Sequence, residues 1–366
     1  MDCLFGPRMR TGRARQFRYN ADLFGAARRI YPAGDNRPYN TSTDTGERVA
    51  SADIRALEEW LSQQIIGQSH LVQRLIIALL ADGHLLVEGA PGLAKTRAIK
   101  CLADGVEGSF HRIQFTPDLL PGDVTGTEIY RPQEASFHFQ KGPIFHNLVL
   151  ADEVNRAPAK VQSALLEAMA ERQISVGSET YKLPHLFLVM ATQNPIEQEG
   201  TYPLPEAQLD RFLLHVNVGY PDAKAETEIL RLTRAEAVQE HVQPPPILRQ
   251  ETVFAARQET LALHMAEAVE TYIVQLIIAT RTPQNYSEQL ASWIEYGGSP
   301  RATIALDRCA RAHAWLQGRD FVSPDDVQAV AADVLRHRLL LTFEAEANGI
   351  SPDQVVQELL ALVPVG

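Results

Sequence analysis

The chain has 366 residues, with Lys+Arg 34 against Asp+Glu 45 for a formal net charge of −11, and it is 45% hydrophobic and 22% charged. Those proportions exclude a wholly disordered or fibrous chain, and no apolar run approaches the ~18 residues of a bilayer span. At roughly 150 residues per domain the length predicts about two domains plus an appendage.

The charge is unevenly spread. Residues 1–50 hold nine arginines and five acidic residues, leaving 25 basic and 40 acidic residues for the rest. An acidic body gains little by neutralising nucleic-acid phosphates, so nucleic acid is not the expected partner. Cys3, Cys101 and Cys309 lie far apart without C-x-x-C spacing, which predicts neither a disulfide framework nor a thiolate zinc site and suits a reducing, cytoplasmic location. No apolar stretch follows the N-terminal arginines, so a secretory signal is not expected. Residues 1–50 read as a mobile basic arm or as the product of a mis-assigned start codon.

Folded sequence is expected from about Ser51, where Ile54, Leu57 and Leu61 share one helical face. A second helix spans about 69–80. Five short apolar runs follow, starting at His84, Phe110, Leu148, Leu186 and Leu213, with helical patterns between them. This alternation predicts a parallel five-stranded α/β sheet covered on both faces, over about residues 51–221. After Gly219 no strand-like run is evident. Residues 222–366 read as an all-α domain, with Val242-Gln-Pro-Pro-Pro as a stiff break and helices at about 260–281, 301–317, 324–339 and 351–363.

Directly after the first strand come Gly89, Ala90, Pro91, Gly92, Leu93, Ala94, Lys95 and Thr96, then a helix. This is nearly the phosphate loop G-x-x-x-x-G-K-[ST], in which backbone N–H groups cradle phosphate while Lys and Thr serve phosphate and magnesium. The departure is Ala94. Alanine resists positive φ, so the match requires that position to be right-handed helical already; otherwise an ordinary strand-turn-helix junction is the alternative. The run Leu148–Ala151 ends in Asp152 and Glu153, carboxylates suited to a magnesium shell and to activating a water. Taken alone, such a pair is a solvated strand end. With the phosphate loop before it, it points to nucleotide hydrolysis. Asn194 ends the next strand, where an amide can hold the lytic water. Arg211 precedes the last strand and Arg301 opens a helix in the second domain. Guanidinium groups can offset the charge of phosphoryl transfer, although surface salt bridging is the commoner fate of an arginine.

Together these residues resemble the AAA+ ATPases, and within them the MoxR family. The most specific string runs from Leu150 to Met169, and Ala94 agrees with the family rather than departing from it. Ala191–Pro195, Tyr202–Phe212 and Gly298–Thr303 complete a likeness over about residues 51–366. The resemblance implies ATP/ADP and Mg2+ as cofactors. It implies Lys95 and Thr96 as Walker A, with neighbouring Arg97 at the nucleotide, Asp152 and Glu153 as Walker B, and Asn194 as sensor 1. Arg211 becomes an arginine finger reaching a neighbouring subunit, Arg301 becomes sensor 2 on the lid, and Ile66, Gly67 and Gln68 lie beside the adenine. It further implies inserts at Pro117–Gly142 and at about Gln173–Pro184 facing the pore of a hexameric ring. A chaperone-like role on a client protein follows, with a von Willebrand A domain partner in trans.

The chain itself carries no Asp-x-Ser-x-Ser pattern. His70, His84, His111, His138, His146 and His185 have no ligand spacing and read as structural or surface residues. Phe137 and Phe139 read as packing between insert and core. The rival reading, a nucleic-acid or chelatase-type motor, is disfavoured because the expected pore hairpin carries no basic stripe.

Overall fold

In a computed structural model of the chain, the described residues are 44–177, 179–195, 200–238 and 245–365. Up to residue 43 the expected arm lies outside them. Residues 44–366 form one compact unit. Among the described residues the first element is α1 (Asp44–Gln64), which starts seven residues before the expected Ser51.

α2 (Ser69–Leu80) leads into β1 (Leu85–Gly89) and α3 (Lys95–Gly105). β2 (Phe110–Gln114) is followed by one turn of helix, α4 (Pro121–Thr125), and a hairpin of β3 (Gly126–Arg131) and β4 (Ser136–Lys141). β5 (Leu148–Asp152) and α5 (Ala159–Glu171) come next. A second hairpin follows, β6 (Gln173–Val176) and β7 (Glu179–Lys182), where it was expected, and then β8 (Leu188–Gln193), α6 (Glu206–Leu209) and β9 (Leu214–Val218).

The five long parallel strands pair in the order β2-β5-β8-β1-β9. Interior strand β5 is buried at every position, which is why its sequence is apolar up to the terminal Asp152. Alternation divides its residues: Leu148 and Leu150 join the core on one face, and Val149 and Ala151 the core on the other. Edge strand β2 is mostly exposed and correspondingly polar. The chain leaves β1 toward β2 and later returns to β9 on β1's other side. Order therefore reverses at β1, and the crevice beyond its carboxyl end is where α/β sheets bind ligands.

The remainder is α7 (Ala223–Ala237), α8 (Gln250–Ala262), β10 (His264–Met265), α9 (Glu267–Arg281), α10 (Glu288–Trp293) and β11 (Ile294–Tyr296). After these come α11 (Pro300–Leu316), β12 (Phe321–Val322), α12 (Pro324–Leu335), β13 (Leu340–Leu341), α13 (Phe343–Ala347) and α14 (Pro352–Leu362). The single helix expected over 260–281 is two. The chain breaks at Leu263–Ala266, where His264 and Met265 pair with Phe321 and Val322. Among the described residues of the region expected to be all helical, four two- or three-residue strands thus occur; tertiary pairing, not local pattern, makes them. α12 stops at Leu335, short of the expected 339. The Pro-rich break at 242–246 lies mostly outside the described residues.

α1, α2 and α3 share one hydrophobic core with a sheet face and with α8, α9, α11, α12 and α14. Each fully buried leucine in it, such as Leu57, Leu75 and Leu306, contributes about 1.5–3 kcal/mol. A buried charge network crosses the same seam. Arg74 of α2 donates to Asp333 of α12 at 2.6 Å, and Asp333 also meets Arg336 and His70. Burial opposes ionisation of Asp333, but the His70 hydrogen bond and the charges of Arg74 and Arg336 outweigh it and hold the carboxyl well below the usual range.

Candidate functional site

The loop between β1 and α3 is shaped by two glycines. A Cβ on Gly89 would lie 2.7 Å from the Val218 carbonyl oxygen of β9, so only glycine lets the strands approach there. Gly92 has φ +83 with open space where a side chain would be. The expectation for Ala94 is corrected: it is not right-handed but left-handed, at φ 58 and ψ 13, as N-cap of α3. The loop accepts the strain of an L-residue at that angle, on the order of 1–2 kcal/mol.

Lys95 Nζ donates to the Gly89 carbonyl at 2.5 Å and to the Gln193 carbonyl at 3.1 Å, tying the loop to the end of β8. Thr96 lies half-buried in the first turn of α3. A cavity of about 220 Å³ is lined by Ile66, Gln68, Pro91, Ala94, Arg97 and Tyr220, with residues of α7 closing its far side. The segment expected beside the adenine is thus brought to the phosphate loop. Gly67 holds it there at φ +78, and the Gln68 side chain donates to the Gly219 carbonyl at 2.8 Å. Arg97 is spanned between the Gln64 carbonyl and Glu236 of α7.

At the end of β5, Asp152 is almost wholly buried. The Thr192 hydroxyl of β8 donates to its Oδ1 at 2.6 Å and accepts from the Glu153 N–H at 2.9 Å, so one side chain fixes both acidic positions. Glu153 itself is left-handed, φ 56 and ψ 49, a strained conformation of the kind found where a side chain must be aimed. Asn194, 5% exposed, follows β8.

Four residues beyond the sequence expectation act here. Arg112 of β2 sends Nη2 (2.6 Å) and Nε (3.1 Å) to Asp152 Oδ2. Gln114, two residues on and hence on the same face, donates to Glu153 Oε2 at 2.9 Å, and Arg156 meets the same oxygen at 3.0 Å. Thr192 is the fourth. Polar residues at alternate positions of an otherwise strand-like run were the available signal.

The two remaining arginines lie elsewhere. Arg211 and Arg301 line one cavity of about 380 Å³ with Arg172, Arg308, Arg338 and Asp210, and no phosphate-loop residue lines it. Asp82, Gly83 and His84, at the amino end of β1, form part of its wall, whereas the phosphate loop leaves the carboxyl end. Asp210 builds this corner. It accepts from Arg338 at 2.9 Å and from the hydroxyl of Ser299, the N-cap of α11, at 2.8 Å, which ties the segment of Arg211 to the start of the helix that carries Arg301. Arg211 Nη1 donates to the Leu166 carbonyl at 2.9 Å. Arg301, expected as sensor 2 on the lid, lines this cavity together with Arg211.

Of the expected packing pair, Phe139 stacks on Tyr181 of the second hairpin, with ring centroids 4.0 Å apart. Phe137 points outward, 67% exposed against Tyr130. Among the described residues no helix is long and apolar enough to cross a membrane.

A parallel sheet with a glycine-shaped phosphate loop at its switch point, an Asp-Glu pair at the end of β5, one strand beyond β8, and helices closing the cleft define an AAA+ ATPase, an ATP hydrolase. Residues 84–214 match the ATPase family associated with various cellular activities, and residues 290–359 match the AAA lid domain. Chaperone MoxR1 of Mycobacterium tuberculosis is 45% identical over 333 residues, 89% of this chain and 86% of that protein. Protein MoxR of Methylorubrum extorquens is 31% identical, covering 84% of this chain and 93% of its own. A crystal structure of a proposed ATPase from Cytophaga hutchinsonii superposes with TM-score 0.82 at 45% identity, covering 89% of this chain and 98% of that one. The chain belongs to the MoxR family of AAA+ ATPases.

The donor set suits the cofactors this family implies. Asp152 and Thr96 offer hard oxygen donors of the kind Mg2+ takes, usually with retained waters, and the open space at Gly92 leaves the loop's backbone free to face phosphate.

Proposed function

We propose that this protein is a ring-forming, chaperone-like motor that hydrolyses ATP to ADP and phosphate and spends the cycle on remodelling a client protein. Its nucleotide core is residues 51–221 and its lid 222–366. Lys95, Thr96 and the Gly89–Ala94 backbone hold the phosphates, Ile66, Gly67, Gln68 and Arg97 border the base, and Asp152 with Thr96 holds the metal. Bound Mg2+ supplies charge neutralisation at the β- and γ-phosphates. Glu153 takes the proton of the attacking water, and Asn194 orients that water.

One observation carries the ring: Arg211 and Arg301 border the amino end of β1, while the phosphate loop leaves its carboxyl end. Four residue steps at about 3.3 Å put some 13 Å of sheet between them. The arginines therefore serve a neighbouring subunit's nucleotide, across a head-to-tail interface that closes a hexamer. This supports moving Arg301 from the subunit's own site to the same trans role as Arg211. The chaperone reading rests on the similarity to MoxR1. A von Willebrand A domain partner in trans and a cytoplasmic location rest on the family likeness.

Complementation tests the trans assignment. Lys95→Ala subunits lack nucleotide binding but keep their arginines; Arg211→Ala/Arg301→Ala subunits have the reverse defect. Each alone should be nearly inactive, and mixing them should restore a measurable ATPase rate. No recovery in rings shown by mass to be mixed would place the arginines in their own subunit's site.

A further inference from the structure

Asp152, the expected metal ligand, already has a cation beside it. Two N–H groups of Arg112 converge on Oδ2 and the Thr192 hydroxyl takes Oδ1. Asp152 is buried whereas the Arg112 side chain is half exposed. The pair is thus asymmetric: the carboxylate is fixed and the guanidinium has solvent to withdraw into. Arg112 Nη2 also donates to Gln114 Oε1 at 2.9 Å, and the amide of Gln114 donates to Glu153 Oε2. A continuous hydrogen-bonded path therefore runs from the metal-side carboxylate through two alternate residues of edge strand β2 to the carboxylate that would activate water.

We propose that Arg112 is the resting counter-ion of Asp152, which magnesium must displace. The inference rests on the assignment of Asp152 to the metal. A buried carboxylate without a cation is unfavourable, so Arg112 stabilises the metal-free site and lowers its affinity for Mg2+ by the same free energy. When the metal is in place the guanidinium turns outward into solvent. Arg112 is thus a positioning residue that makes an idle site wait for metal.

The test reads metal dependence directly, by fluorescence of a labelled ADP analogue bound to the full chain during Mg2+ titration, for wild type, Arg112→Gln and Arg112→Lys. Removing the competing cation should lower the Mg2+ concentration for half-maximal binding about two- to fivefold, the range expected for a partly exposed ion pair. Arg112→Lys, which keeps the charge, should titrate close to wild type. In metal-free buffer Arg112→Gln should melt below wild type, and Mg2+ with ADP should close the gap. An unchanged or raised Mg2+ requirement in a folded Arg112→Gln protein overturns the proposal and leaves the metal assignment standing. Magnesium-independent binding by wild type overturns both.

Discussion

At the scale of single residues, the site holds two non-glycine residues, Ala94 and Glu153, in the left-handed backbone region where glycine is most at ease. Ala94→Gly should therefore stabilise the protein or leave it unchanged, by about 0 to 1 kcal/mol, because relief of the strain exceeds the added entropy of the unfolded chain. Thermal or urea unfolding of the pair checks it, and a marked loss of stability would contradict the assigned conformation. Glu153→Gln should keep nucleotide binding while hydrolysis falls roughly 10² to 10⁴-fold, read by binding and turnover on one preparation. The loop, Asp152–Glu153 and Asn194 were legible because their spacing relative to apolar strands is itself the signal. Ala94's handedness was not. Nothing in the neighbouring residues reports it, since it follows from how the loop closes against β9 and β8.

At the scale of elements, the strands were legible because burial on both faces leaves only apolar residues, as along Leu148–Ala151. The break between α8 and α9 was not, because pairing of His264–Met265 with Phe321–Val322 joins segments more than fifty residues apart. The hairpins show the same division. Period-2 alternation of Phe137 and Phe139 marks a strand, but only the second hairpin decides which ring is covered. Phe139→Ala should lower stability by about 1 kcal/mol through the lost stack on Tyr181, whereas Phe137→Ala should stay within about 0.5 kcal/mol of wild type in thermal melts.

Whole-molecule stability depends on buried histidines that must remain neutral. His84 accepts from the Val189 N–H and lies against the Met169 carbonyl, and burial pushes its imidazole down to about 4. Burial pushes His337 the same way. Between pH 4 and 6.5 the unfolded chain therefore binds more protons than the native one, and stability falls as pH drops through that window. His84 alone contributes at most about 1.4 kcal/mol per pH unit. Asp333, held low, adds its loss only below about pH 4. Melting temperature should fall from pH 7 to 5, and His84→Gln, though less stable at pH 7, should show a shallower slope. An unaltered slope would contradict the assigned burial.

The arginine corner on which the proposed ring rests was only partly legible. The arginines were recognisable, but the Asp210–Ser299 hydrogen bond that groups Arg301 with Arg211 joins residues 89 apart. Catalysis shared between subunits is the central claim, and ATPase rate per subunit against protein concentration, with mass measured on the same samples, tests it most directly. Specific activity should rise as rings assemble, and Arg211→Ala should stay low at every concentration while still assembling. Full per-subunit activity in demonstrably monomeric protein, unaffected by Arg211→Ala, would contradict it.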